Sequence, residues 1–267
     1  MEPKKTPWHA RFAVTLALLL PVYFAVAALG TKIGLWSWQV GLGSLVIGAG
    51  PMLLGIVAAV AAVSLILIMR KAPRKGWALP LIALVIPVGV FGFLGTVGTT
   101  ASANPIHDVS TDTANPPTFS EATMAARAEI DANPVSDYAT PLGEIDWWAD
   151  KASDELKAKS HAQIVEELYP DLRSIGYRAG SEVSVLEDVA AAMRDIGLSE
   201  VTKKPVEGRV EGVAETFWFG FKDDVVVRVA DEGIDIRSVS RVGVSDLGAN
   251  AARVEELVAA IKARGNE

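Results

Sequence analysis

FWFGFKDDVVVRVADEGIDIRSVSRVGVSDLGAN, residues 217–250, is the stretch in which residue types, spacing and turns are most tightly specified. Asp224–Ala230 alternates, with Val225, Val227 and Val229 on one face, and reads as a strand. Asp231-Glu232-Gly233 reads as a turn, and Ile234–Val242 returns as a second strand. Ile234, Ile236, Ser238 and Ser240 share one of its faces, and Asp235, Arg237, Val239 and Arg241 share the other. Upstream, Leu198–Val206 and Arg209–Phe219 supply two more strands. The short connections imply an antiparallel meander of about four strands. Phe217, Trp218, Phe219 and Phe221, grouped around Gly220, read as core and turn, with a ligand-cleft rim as the alternative.

Helices flank the meander. Ser184–Glu187 has capping-box spacing, Leu186, Val189, Ala190, Met193 and Ile196 follow at helical spacing, and Gly197 offers a left-handed cap. This predicts a helix over 184–196. Val254, Leu257, Val258 and Ile261 form the stripe of a last helix over 250–264. A two-layer α+β sandwich with both helices on one sheet face follows. Earlier in the soluble half, residues 101–117 carry Pro105, Pro116 and Pro117 and read as a linker and entry segment. A helix over 119–132 comes next, capped at Thr118 (with Glu121) or at the competing Ser120. Glu144–Leu168 is helical, with a break near Ser160, and contains Trp147 and Trp148, read as core anchors rather than membrane contacts.

The first hundred residues are of another kind. Phe12–Gly30 and Val40–Met69 carry no charge, and Trp77–Thr100 is a third apolar run. Each is long enough to cross about 30 Å of hydrocarbon. The expected spans are 12–30, 46–69 and 77–99, the second starting late because Gly41, Gly43, Gly48, Gly50 and Pro51 crowd its beginning. Trp8, Trp36, Trp38 and Trp77 lie at span ends, where amphipathic rings are favoured. Ser44/Gly48 and Ala58/Ala62 have helix-packing spacing. The whole reads as an α-helical three-span membrane region (1–100) followed by an α+β soluble domain (118–267).

Charge divides the chain in the same place. Residues 1–100 hold eight Lys/Arg against one acid, a balance of +7, whereas residues 101–267 hold 17 against 31, a balance of -14. The basic N-terminus (Lys4, Lys5, Arg11) and the basic loop of Arg70, Lys71, Arg74 and Lys75 fall on one side of a three-span topology. The positive-inside rule puts that side in the cytoplasm and the C-terminal domain outside it, which in a bacterial inner membrane means the periplasm. A cleaved signal peptide over residues 1–30, with Ala25–Ala28 near the cut, is the alternative; the apolar run is longer than a usual signal core. The acidic domain argues against nucleic acid as a partner. Cysteine is absent, which removes disulfides, thiolate metal sites and a Cys nucleophile.

Several constellations suggest chemistry. Asp108, Ser110 and Asp112 alternate like the opening of a calcium loop, but Thr113 stands where Gly is required and Phe119 where the bidentate Glu belongs. His107 and His161 lack zinc spacing, and no nucleophile elbow supports a triad of His107, Asp108 and Ser240. No metal or cofactor is implied. Arg237 and Arg241, with Asp235, Glu211 and Glu215, read as a lattice of cross-strand ion pairs on an exposed face. The sharper alternative is an anion site made by the two arginines and the Gly243–Gly248 turn at a helix N-terminus. The candidate interaction residues are Asp108, Asp112, Arg237, Arg241, Ser245 and Asp246.

Ile106-His107-Asp108-Val109-Ser110-Thr111-Asp112, Tyr169-Pro170-Asp171-Leu172, Phe219–Val225 and Ser238–Gly248 stand in order along the chain. Together they resemble the domain-of-unknown-function family 1499 over about residues 105–263. The resemblance implies no established activity, cofactor or catalytic residue. The segment around 135–162 is less typical of it, and the membrane region lies outside it.

These readings give one leading expectation and one rival. The leading one is a three-span inner-membrane protein presenting a non-enzymatic α+β module that binds an envelope protein or a small ligand, with the lipid bilayer as its constant partner. The rival is a membrane-anchored enzyme using Asp108, Asp112, Arg241 and Asp246, with or without a metal.

Overall fold

The structure, a computed structural model, describes residues 6–70, 72–176, 182–230 and 233–264. Lys4, Lys5, Lys71 and the Asp231-Glu232 part of the expected turn lie outside the described residues. The chain divides into two compact units: residues up to Thr99 together with Phe217–Gly220, and Thr100–Thr216 together with Phe221 onward.

In the first unit, α1 is Trp8–Lys32, α2 is Gly50–Met69 and α3 starts at Ala78; α3 runs to Ala103, its last four residues counting with the second unit. All three are long and apolar enough to cross a membrane. The second span begins at Gln39, earlier than the glycines suggest, because Gln39–Ala49 is π-helical and continues into α2. The Tyr23 hydroxyl donates to the Leu45 carbonyl in this stretch at 2.9 Å, one way the wider coil is held. Gly41 is required there: a Cβ would lie 1.8 Å from Thr31 Oγ1. The buried seam is Ala13, Ala17 and Leu20 of α1, Leu54, Val57 and Ala61 of α2, and Ala83 of α3. Small residues let the helices approach closely, as membrane packing requires. They are not the pairs expected from spacing: Ser44 and Gly48 are exposed, and Ala58 and Ala62 lie beside the seam. His9 Nδ1 and Ser64 Oγ form a 2.7 Å hydrogen bond between α1 and α2. Leu18, Leu19, Val22, Val26, Ile47 and Val63 face outward, as a lipid-facing surface requires.

The second unit is a helix-plus-sheet domain with five strands: β1 (Asp108–Ser110), β2 (Ser199–Lys204), β3 (Arg209–Glu215), β4 (Lys222–Ala230) and β5 (Gly233–Ser240). All neighbours are antiparallel, in the order β1-β5-β4-β3-β2. The meander is as expected; the fifth strand, β1, lies within the segment read as a linker. Three residues are too few to show a period.

Helices α8 (Glu182–Asp195) and α9 (Ala249–Arg264) pack on one face of the sheet. Helix α8 starts two residues before Ser184, so that serine lies inside the helix and does not cap it. Gly197 ends the run with φ +86°, and Leu198 N–H reaches back to the Met193 carbonyl. Val210, Val225, Val227, Ile234 and Ile236 meet Leu186, Val189, Met193, Val254, Leu257 and Ile261 in the main core. The helical stretch over 144–168 is three short pieces: α5 (Asp146–Ala149), α6 (Asp154–Lys157) and α7 (His161–Leu168). The break at Ser160 is a capping box with Gln163, and a second cap at Ser153 explains the earlier one. Trp148 is 1% exposed and belongs to the core.

The opposite sheet face is covered by residues 111–141, including α4 (Glu121–Glu129), which is capped by Ser120 and not by Thr118. The irregular part of this cover has carbonyls that no ladder satisfies, and arginines from the sheet supply donors. Arg228 donates to Asn115 O, Arg237 to Pro117 O and Arg209 to Thr118 O. A cross-strand charge lattice is present, but with other partners than expected (Arg237 with Asp108, Arg241 with Asp224, Asp235 with Arg228), and it lies beneath a cover where an exposed face was expected.

Candidate functional site

Strand alternation places Arg209, Glu211, Asp224, Arg228, Asp235, Arg237 and Arg241 on the covered face. Phe119, Val226 and Val239, with Val135 beside them, make a small apolar centre, and charged groups surround it.

The most buried group is built around Asp108. Its carboxylate accepts from Arg237 Nε at 2.9 Å and Nη2 at 2.7 Å, from Ser136 N–H at 2.9 Å and from the Tyr138 hydroxyl at 3.1 Å. Burial alone would raise the carboxyl, but the Arg237 charge and its hydrogen bonds hold it down at about 2. The Arg237 guanidinium lies 5.0 Å from the Tyr138 ring centroid. Burial, reinforced by the Asp108 charge, pushes the Tyr138 phenol well above its ordinary value. Asp108 therefore stays ionised and Tyr138 stays protonated.

Two histidines adjoin this pair. His161 Nε2–H donates to the Asp108 carbonyl at 2.7 Å, and His107 Nε2–H donates to the Pro134 carbonyl at 3.2 Å. A carbonyl can only accept, so each neutral ring carries its proton on Nε2. Each Nδ1 is buried with no protein hydrogen-bond partner. His107 stacks on Trp148 at 5.4 Å and meets Trp147 edge-on at 4.8 Å. His161 packs on Tyr138 at 4.7 Å. Burial pushes His107 down to about 4 and lowers His161 as well, so both are neutral at pH 7.

The remaining charges are committed elsewhere. Arg241 grips Asp224 through Nε at 2.9 Å and Nη2 at 2.6 Å, and Arg127 of α4 binds the same carboxylate. Arg228 bridges Asp112 at 2.8 Å and Asp235 at 2.7 Å. The other Asp112 oxygen accepts from the Ala114 and Asn115 amides. Glu211, 4% exposed, accepts from Ser120 N–H and Oγ and from Thr123 Oγ1, which places a carboxylate against the start of α4. On the helix-covered side, Asp246 accepts from the Gly248 and Asn250 amides, both at 2.7 Å, and Ser245 Oγ accepts from Leu247 N–H. The start of α9 thus already holds its own carboxylate. Asn250 ties α9 to Ser240 and to the His107 carbonyl.

The six candidate residues are thus not one set. Asp108 and Arg237 meet each other; Arg241 meets Asp224; Asp112 meets Arg228; Ser245 and Asp246 shape the turn into α9. Asp108, Asp112, Arg241 and Asp246 each answer to a different partner. The calcium-loop pattern fails chemically too, since the Asp108 and Asp112 side chains are both engaged by guanidinium groups. Among the described residues no three His, Asp or Glu side chains are placed to hold a metal ion. Sequence reasoning missed Arg127, Tyr138 and Asp224; their contacts span 17 to 97 residues of chain, and nothing local marks them. Phe217 and Trp218, expected in the core, are 70% and 52% exposed.

A cavity of about 320 Å³ opens between α4 and strands β2 to β4. Thr123, Thr202, Lys204, Glu211 and Arg241 are among the residues that line it. Its walls carry both signs of charge, and its size is at the lower end for a small-molecule site.

Fold and site together define a protein with three apolar helices of spanning length and an α+β domain whose second sheet face is internally ion-paired. The family model described as "Protein of unknown function (DUF1499)" matches residues 108–261, more than half of the chain, and the chain belongs to that family. No curated protein and no solved structure matched it.

Proposed function

We propose that this is a bacterial inner-membrane protein whose three spans hold a non-enzymatic binding module in the periplasm. The observation that carries the binding reading is the commitment of the polar face. Its carboxylates and guanidinium groups are paired with each other or with backbone, and its histidines are held neutral by burial. Groups locked in this way stabilise a shape. The open cleft beside α4 is the ground they leave for a small polar ligand or an envelope protein. The orientation rests on the basic residues flanking the first span and between the second and third.

Crosslinked membranes and native mass spectrometry of the full chain test the binding reading. A discrete partner or ligand is expected, and it is lost on Lys204→Glu. Repeated recovery of neither contradicts the reading. A reporter active only outside the cytoplasm, fused after Glu267, is expected to be active; activity of a cytoplasm-only reporter reverses the orientation.

A further inference from the structure

We propose that the tip of the β3–β4 hairpin is a membrane-interface anchor, with Phe217 and Trp218 seated among lipid headgroups and upper acyl chains. The proposal rests on the reading that α1–α3 cross a bilayer.

The tip is built to present these rings. Strand β3 ends at Glu215 and β4 begins at Lys222. Thr216 N–H donates to the Phe221 carbonyl at 2.8 Å, and Phe221 N–H donates to Thr216 Oγ1 at 2.9 Å. That closure leaves Phe217-Trp218-Phe219-Gly220 as an uncharged loop, turned at Gly220 with φ +67°. The Phe217 and Trp218 rings pack edge to face at 5.2 Å, and both remain exposed. Large apolar rings paired at a loop tip are costly in water and mark an interaction site.

Two observations select the bilayer as occupant. The chain leaves α3 at Ala103 and enters β1 at Asp108, a link that reaches no more than about 18 Å, which keeps a lipid surface at high local concentration. The side chains are those that favour the interface: Trp218 has the amphipathic ring of Trp8 and Trp77, which are exposed at the ends of the spans. The tip thus gives the domain a second attachment besides its covalent tether and restricts how it turns above the bilayer.

The natural chain lacks cysteine, so one introduced residue carries a unique spin label. The full chain, reconstituted in phosphatidylethanolamine–phosphatidylglycerol vesicles, is labelled at Trp218→Cys, at Val206→Cys and at Val63→Cys. Val206 is fully exposed in the turn between β2 and β3, at the opposite end of β3 from the tip, and Val63 faces outward on α2. Accessibility to oxygen, which partitions into lipid, is compared with accessibility to a water-soluble nickel complex. The Val63 label is expected to be lipid-exposed, and the Trp218 label to show an oxygen-to-nickel ratio severalfold above that of the Val206 label. A Trp218 ratio equal to that at Val206 overturns the proposal, as does a Trp218 label shielded from both reagents, which indicates a protein contact. A Val63 label without lipid exposure removes the membrane reading and this proposal with it. Independently, brominated lipid is expected to quench the native chain more than Trp218→Phe; equal quenching overturns the proposal.

Discussion

One sheet bears two differently made interfaces. On one face, Val225, Val227, Ile234 and Ile236 meet α8 and α9 through non-directional apolar contact. On the other, Asp108–Arg237 and Asp224–Arg241 pair within the sheet, and the cover is held by fixed partners: Arg127 of α4 on Asp224, Asp112 on Arg228, the Pro117 carbonyl on Arg237, and Ser136 and Tyr138 on Asp108. The first tolerates replacement by anything apolar of similar volume. The second does not tolerate losing one partner, because the other is left charged and buried. Adjacent residues of a strand are therefore under opposite chemical rules.

Breaking one partner should show the difference most strongly. Asp224→Ala leaves Arg127 and Arg241 both without their shared carboxylate and is expected to cost about 3–5 kcal/mol, read by denaturant unfolding of the detergent-solubilised chain. On the apolar face, Leu257→Ala removes a fully buried side chain and is expected to cost about 2–5 kcal/mol, whereas Leu257→Met costs less than about 1.5 kcal/mol. A conservative swap that is as damaging as truncation would erase the contrast.

Acid tests the buried groups around Asp108. His107 has a folded value of about 4, below its ordinary 6.5, so between those values the unfolded chain binds more protons. Stability should therefore fall as pH drops from 6.5 to 4, by at most about 1.4 kcal/mol per pH unit for each histidine. His161 is shifted in the same direction and adds to the slope. Asp108 acts lower, with stability lost between about 3.8 and 2. His107→Phe keeps a ring against Trp148 and should flatten the slope between pH 6.5 and 4; an unchanged slope would show that the ring is not the acid-labile group. Ser120→Ala is expected to cost about 1–2 kcal/mol, since the α4 cap and the Oγ donor to Glu211 are both lost while Glu211 still accepts from the Ser120 amide and from Thr123 Oγ1.

The same contrast governs what could be read from residues alone. Val225, Val227 and Val229 announce their face, and the stripe of Val254, Leu257 and Ile261 announces what covers it, because apolar periodicity implies burial. Charged periodicity does not. Asp235, Arg237 and Arg241 alternate identically whether water or α4 lies above them, so the lattice was legible and its cover was not. Arg127 meets Asp224 across 97 residues, and Tyr138 meets Asp108 across 30. Both contacts exist only after the irregular 111–141 segment has folded over the sheet. Strand β1 was missed because Asp108-Val109-Ser110 is short. The start of the second span was misplaced because its glycines form a π-helix instead of ending the coil.

The central claim is that Asp108 and Arg237 form a structural pair. A double-mutant cycle with Asp108→Leu and Arg237→Met, followed by unfolding of the full chain, tests it directly. Each single change should cost about 3–5 kcal/mol, and the double variant should be more stable than either. Additive losses, with the double variant the least stable of the set, would contradict the account.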